Sequence, residues 1–244
     1  MRRSNIEINN DAAEWMPAAI LIVGLLLTSY IFVLANTDGI DAGIERGELA
    51  PDFTALAHYP GNDSSDWNQY RFYENLDLNW SGNHTEGVFT VIEFLDTDCP
   101  YCWSSAYKLS SLASELELAE IGVRDRVQFI IVVVQLPIPG HSTSIEEMVA
   151  FQERSPHPGC KSDSADCSTR PGDLHPGVYI DDRNADIFQE YGIRGTPQYL
   201  ILKPNGVVAW NGGTDSNDEI GIELSEQICK DGGTSELCIK LSEG

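Results

Sequence analysis

The chain has 244 residues, with 15 Lys and Arg against 38 Asp and Glu, and a formal net charge of −23. At 42% hydrophobic it is not a disordered tail, and its acidity excludes a nucleic-acid-binding surface or a polybasic membrane-surface module. No period of about 20 to 50 residues runs through it, which excludes solenoids and other repeat architectures.

Residues 16–35 carry no charge, and at about 1.5 Å per residue they span roughly 30 Å of hydrocarbon. They predict a transmembrane anchor behind a short tail, 1–15. A cleaved signal peptide is the rival, with Val33 and Ala35 suiting a cleavage site. Against it, the apolar run exceeds a signal core and Glu7, Asp11 and Glu14 precede it. Arg2 and Arg3 lie before the span and Arg46 lies after it, a bias that puts the C-terminal part outside the cytoplasm. Residues 36–49, with Gly39, Gly43 and Gly47, read as a linker, and one domain is expected over 50–244.

Residues 57–87 predict irregular structure with a short strand at 70–73, and they hold the sequons at Asn62, Asn79 and Asn83. The run 88–95 is β-branched and aromatic, a buried strand. A helix follows over 101–121 with Leu109, Leu112, Ala113 and Leu116 on one face, then a second buried strand over 127–134. Strand, crossover helix and strand imply a parallel pair. A capping box at Ser144 and Glu147 opens another helix to Arg154. Residues 155–175 read as a loop insertion, followed by a short strand at 178–180 and a short helix at 184–191. A hairpin pairs 198–202 with 207–210 across the Pro204-Asn205-Gly206 turn, and a last helix runs from a capping box at Ser216 and Glu219 to about Lys230. The fold class is α/β, a central mixed sheet with helices on both faces.

The six cysteines fall into local pairs: Cys99/Cys102, Cys160/Cys167 and Cys229/Cys238. Nearest-neighbour pairing is the simplest of the possible patterns, and an oxidising compartment would make the second and third pairs structural disulfides; ordinary thiols or a metal site are the alternatives. Cys99-Pro100-Tyr101-Cys102 sits where a strand ends and a helix begins. Cys99 at the helix cap faces free amides and the positive dipole end, which favour a thiolate, and Pro100 suits the first turn. Cys102, one turn on, is placed to attack a mixed disulfide on Cys99; half a zinc site is the other use of this spacing. Asp96 and Asp98 oppose the helix terminus in setting the Cys99 pKa. Glu93, inside the apolar strand, would have a raised pKa if buried and could shuttle a proton near Cys102; a strand-end Glu facing solvent is the alternative. Gly195-Thr196-Pro197 before the hairpin strand invites a cis bond at Pro197.

Together these residues resemble the thioredoxin superfamily, and within it the membrane-anchored extracytoplasmic proteins of TlpA/ResA type. The resemblance rests on Ala50-Pro51-Asp52-Phe53, on Val91-Ile92-Glu93-Phe94-Leu95 before Cys99-Pro100-Tyr101-Cys102, and on the run from Tyr191 to Leu202 with its Pro-Asn-Gly turn. It covers about residues 50–230 and implies a thioredoxin-like fold, with Cys99 as nucleophile, Cys102 as resolving thiol, Glu93 as the buried acid and Pro197 as the cis-proline. Thr196 would offer its backbone to a bound substrate chain, with Pro100 and Tyr101 beside it; Trp103, next after the pair, either faces a substrate groove or is a packed aromatic.

Three departures stand out. Asp98 replaces the Trp common before the first cysteine, Pro100-Tyr101 resembles glutaredoxins, and the 155–175 insertion lengthens the path to Pro197. The opening motif also resembles peroxiredoxins, but their Thr stands three before the peroxidatic Cys and Thr97 stands two before Cys99. The histidines (58, 84, 141, 157, 175) show no metal-ligand spacing and read as surface or loop residues; His157 beside Cys160 and Cys167 is the one set that resembles a metal site.

The function implied is a thiol–disulfide oxidoreductase acting on protein disulfides as a reductase, with no cofactor and no metal. Its electrons would come from a redox partner protein, for which a membrane-embedded donor is suited. The rivals are a disulfide-forming oxidase and a non-enzymatic binding or metallochaperone module.

Overall fold

The structure, a computed structural model, describes residues 20–28, 41–82, 87–118, 126–215 and 220–230. Residues 20–28 are helical, and the rest of the predicted 16–35 anchor lies outside the described residues. No helix among the described residues is long and apolar enough to cross a membrane.

The compact unit that follows begins at Ala42. Its seven-stranded sheet has the order β2-β1-β7-β4-β3-β8-β9. These strands are β1 (Thr54–His58), β2 (Asn68–Arg71), β3 (Phe89–Leu95), β4 (Val127–Val134), β7 (Val178–Asp182), β8 (Gln198–Leu202) and β9 (Val208–Asn211). The helices are α1 (Pro100–Leu118), α2 (Ile145–Glu153), α3 (Asp186–Glu190) and α4 (Ile220–Lys230). β3 and β4 pair in parallel across α1, and β8 joins the other side of β3 antiparallel, so the expected parallel pair and hairpin meet on β3. The end of the segment read as a linker is tied down. Gly47 N donates to Val208 O and Val208 N to Glu48 O, and Leu49 bridges to Val207. The Ser216 capping box and the proposed partner Cys238 lie outside the described residues.

β3 is buried along its whole length, and strand alternation divides its side chains between two cores. Phe89, Val91 and Leu95 face α1, α2 and α4, packing with Leu109, Phe151 and Leu224. Ile92 and Phe94 face the opposite core with Phe53, Phe72, Ile187 and Tyr191. Glu93 therefore points into the first core, the one that holds Cys102. α2 starts as expected: Ser144 Oγ accepts from Glu147 N at 3.0 Å.

The insertion is stapled by a Cys160–Cys167 disulfide, which rules out a His157 metal site built on those thiols. The short pair β5 (Pro158–Gly159) and β6 (Ala165–Asp166) flanks a turn in which Lys161, Ser162 and Asp163 are all left-handed, with φ of 57°, 55° and 55°. Such a conformation costs roughly 1 kcal/mol or more per non-glycine residue, so other contacts must hold it. Lys161 N donates to Thr97 O, Ser162 N to Asp98 Oδ1 and Ser162 Oγ to Asp98 O. Replacing Cys160 and Cys167 by Ser is expected to lower stability by about 2.5 kcal/mol from loop entropy, or roughly 5–10 °C in Tm, by thermal denaturation of the full chain.

Candidate active site

The turn from β3 into α1 is pinned by Asp96. Its Oδ1 accepts from Asp98 N at 2.8 Å, its Oδ2 from Leu136 N at 2.6 Å and its carbonyl from Cys99 N at 3.1 Å. Burial pushes its carboxyl up to about 6. Cys99 caps α1: Trp103 N donates to Cys99 O at 3.0 Å, and Cys102 N points at Cys99 Sγ, 3.4 Å away. Both thiols are free. They are also unequal. The Cys102 thiol, with the amides of Cys102 and Tyr101, holds Cys99 down at about 6 against burial. Burial pushes Cys102 well above the ordinary thiol range. Neither Asp96 nor Asp98 is among the groups that shift Cys99, whose hydrogen bonds favour the thiolate, while Cys102 stays a thiol.

Cys99 Sγ lies 3.4 Å from Thr196 O, and the Thr196–Pro197 peptide is cis. Thr196 and Pro197 are half-buried, whereas Pro100 is exposed and Tyr101 is 77% exposed. Cys99 itself is 5% exposed between them. Of the two alternatives for Trp103, the packed aromatic is the one observed rather than the substrate-facing one. It is 5% exposed, lies edge-on to Phe151 and has Lys161 Nζ 6.0 Å from its ring, so it packs in the core and presents no face to a substrate. As the fourth residue after Cys99 on α1, it shares the inward face.

Glu93 is fully buried, which settles its alternatives. Tyr199 stands opposite it on β8, and its Oε2 lies 3.3 Å from His175 Nε2. Burial pushes Glu93 up to about 8, against the Tyr199 hydroxyl and the Arg170 charge. Burial, with Arg170 adding to it, holds His175 well below the ordinary imidazole range. At neutral pH the pair is therefore a carboxylic acid beside a neutral imidazole. His175 Nδ1 meets Tyr179 OH at 2.9 Å, and Tyr199 OH reaches Ser105 Oγ at 3.4 Å. Arg170, also buried, donates to the carbonyls of Phe151, Pro171 and Asp173 and lies over the Phe151 ring.

Sequence reasoning missed Arg170, His175, Tyr179 and Tyr199, and placed the histidines at the surface. His58 and His175 are buried, and the His141 side chain is 5% exposed. The loop that carries Arg170 and His175 approaches so closely that a Cβ at Gly172 would lie 2.6 Å from Tyr107 Cα, and one at Gly177 2.2 Å from Phe129 O. Gly172 and Gly177, both at φ +82°, are the only local trace of that approach.

Fold and site together define a mixed α/β protein of thioredoxin-like architecture, with a dithiol at the start of the helix between its parallel core strands. Among solved structures, a reduced 2-Cys peroxiredoxin of Plasmodium vivax is similar at 14% identity, over 75% of this chain and 95% of that one, with a TM-score of 0.48. A secreted Mycobacterium tuberculosis disulfide oxidoreductase homologous to E. coli DsbE is similar at 16% identity, over 71% and 95%, with a TM-score of 0.43. An uncharacterized conserved protein of Geobacillus kaustophilus is similar at 18% identity, over 71% of each chain, with a TM-score of 0.48. No family model and no curated protein matches the chain.

Proposed function

We propose that this protein is a membrane-anchored, extracytoplasmic thiol–disulfide oxidoreductase of TlpA/ResA type that reduces protein disulfides. The observation that carries the reading is the unequal pair at the α1 cap: Cys99, beside Thr196 O and held down at about 6, and Cys102, more deeply buried and held well above the ordinary thiol range.

In the first step Cys99 thiolate attacks one sulfur of a substrate disulfide. The Cys99–substrate bond forms, the substrate S–S bond breaks, and the departing sulfur takes up a proton. Glu93, once ionised, takes the Cys102 proton, and Cys102 attacks Cys99 Sγ. The mixed disulfide breaks, the second substrate thiol leaves, and a Cys99–Cys102 disulfide remains; two electrons have passed to the substrate. The proton Glu93 has gained passes to the departing second substrate sulfur, which resets the base, while His175, 3.3 Å away, stays neutral beside it. A redox partner protein returns the two electrons. A peroxidase reading has less support, because the Thr97 hydroxyl is engaged with Glu147 Oε1 at 2.5 Å.

The reduction potential of Cys99/Cys102 in the purified full chain, by equilibration with dithiothreitol or glutathione, tests the reading. A value near about −270 mV is expected; one near about −120 mV would replace the reductase with a disulfide-forming oxidase, and no reversible couple would overturn both. The anchor over 16–35 and an external, oxidising location, which the Cys160–Cys167 disulfide suits, belong to the same proposal. The full chain is expected to stay with membranes through alkaline carbonate extraction; release into the soluble fraction would overturn the anchor.

A further inference from the structure

A second cluster lies on the other side of Asp98, apart from the dithiol chemistry. One ligand atom each from Asp98, His141 and Glu147 lie within 4.8 Å of one another. Asp98 is fully buried, Glu147 is 2% exposed and the His141 side chain 5%. His141 Nε2 is in direct contact with Asp98 Oδ2, lies 3.6 Å from Glu147 Oε2 and has Thr143 Oγ1 at 3.5 Å. Apart from that contact with His141, Asp98 Oδ2 has no hydrogen-bond partner, and it is aimed into the cluster. Two carboxylates and an imidazole thus bring lone pairs to one point, away from water. A cation among those lone pairs would stabilise so buried a group.

Each member is oriented by an outer partner that leaves one atom for the centre. Ser162 N holds Asp98 Oδ1, and Thr97 Oγ1 holds Glu147 Oε1. The far nitrogen of the ring, His141 Nδ1, faces Asp163 Oδ2 at 3.6 Å. A carboxylate behind the imidazole of a metal-ligating histidine fixes its tautomer and the orientation of the ring. The Asp163 side chain is 61% exposed, so the cluster has an edge open to solvent through which an ion can enter.

We propose that Asp98, His141 and Glu147 bind one divalent transition-metal ion, of the Zn²⁺ or Co²⁺ kind. An imidazole with two carboxylates is a mixed nitrogen–oxygen set, which such ions accept and which the all-oxygen preference of Ca²⁺ and Mg²⁺ disfavours. Three protein ligands leave a position for water. The ion would join three separate parts of the chain: the residue before Cys99, the loop after β4 and the first turn of α2. The inference does not rest on the redox reading.

The test uses the full chain with Cys99 and Cys102 oxidised to a disulfide, so that neither thiol can ligate, stripped with chelator and titrated with Co²⁺ and then Zn²⁺. One equivalent is expected to bind, with visible Co²⁺ absorption and no thiolate charge-transfer band, and an equal concentration of Ca²⁺ should not displace it. His141→Ala and Glu147→Gln should each weaken binding by about 100-fold or more, and the outer Thr97→Val by about 10- to 100-fold. Far-UV circular dichroism identifies any variant that fails to fold, and the conservative Glu147→Gln then decides. Absence of saturable binding, or affinity within about twofold of the parent in every folded variant, overturns the site and leaves a proton-sharing histidine–carboxylate cluster.

Discussion

Replacing Cys102 by Ser is expected to trap the reaction halfway. Cys99 still attacks, nothing resolves the adduct, and a mixed disulfide with substrate accumulates to near one equivalent; dithiothreitol releases it. Turnover should fall by at least about 10³-fold in both Cys102→Ser and Cys99→Ser, because the two sulfurs act as one unit. Only the first should form the adduct. The asymmetry follows from the surroundings of the two sulfurs: Cys99 Sγ lies beside Thr196 O and is held down at about 6, whereas Cys102 is 1% exposed and held well above the ordinary thiol range. Non-reducing electrophoresis and mass spectrometry of the full chain with a disulfide-bonded substrate protein read the difference. Equal trapping by Cys99→Ser, or none by Cys102→Ser, would reverse or remove the assigned roles.

Glu93→Gln should slow the second step without stopping the first. Loss of a positioned base costs about 10²-fold or more, so the Cys102-dependent step is expected to slow by that factor and to lose the limb of its pH profile centred near 8. Stability should move the other way. Folding raises the Glu93 pKa from about 4.5 to about 8, so the native state holds a proton that the unfolded chain has released. Its contribution is intact below the unfolded value and is lost as pH rises through 8, a loss of several kcal/mol at most. His175 works in the opposite sense. Its native pKa is depressed below 6.5, so the stability it contributes is present above 6.5 and declines as pH falls. Urea midpoints at pH 5, 7 and 9 should therefore show an alkaline decline in the parent that Glu93→Gln flattens. A decline of equal slope in the variant would mean that Glu93 is not the group responsible.

Local patterns carried most of the fold into view. The buried run before Cys99, the crossover helix and the Pro-Asn-Gly hairpin are each decided by a few neighbouring residues, and they appear as β3, α1 and the β8–β9 pair. The bounds moved where neighbours, not propensity, set them: the strand expected at 70–73 lies at Asn68–Arg71, and the helix expected at 184–191 shortens to Asp186–Glu190. In the site, Glu93 was legible because alternation puts it on the same face as Val91 and Leu95. For Trp103 the sequence left a groove-facing and a packed aromatic open, and the helical period from Cys99 selects the packed one. His175 and Arg170 were not legible, because a closed loop brings them to Glu93 and no spacing announces where a loop returns. The same holds for Asp98, His141 and Glu147, which stand in three different elements and form no spacing motif.

The insertion at 155–175 has one more consequence. Arg170 and His175, which surround Glu93, and Ser162, which holds Asp98, all come from it or its edge. A domain trimmed back to the minimal length of its fold would keep both cysteines and the turn at Pro197. It would lose the floor beneath the acid and the wall beside the nucleophile. Loop grafting between this protein and shorter thioredoxin-like domains is therefore not an exchange of decorations: the loop carries the residues that contact the buried acid and the turn before Cys99.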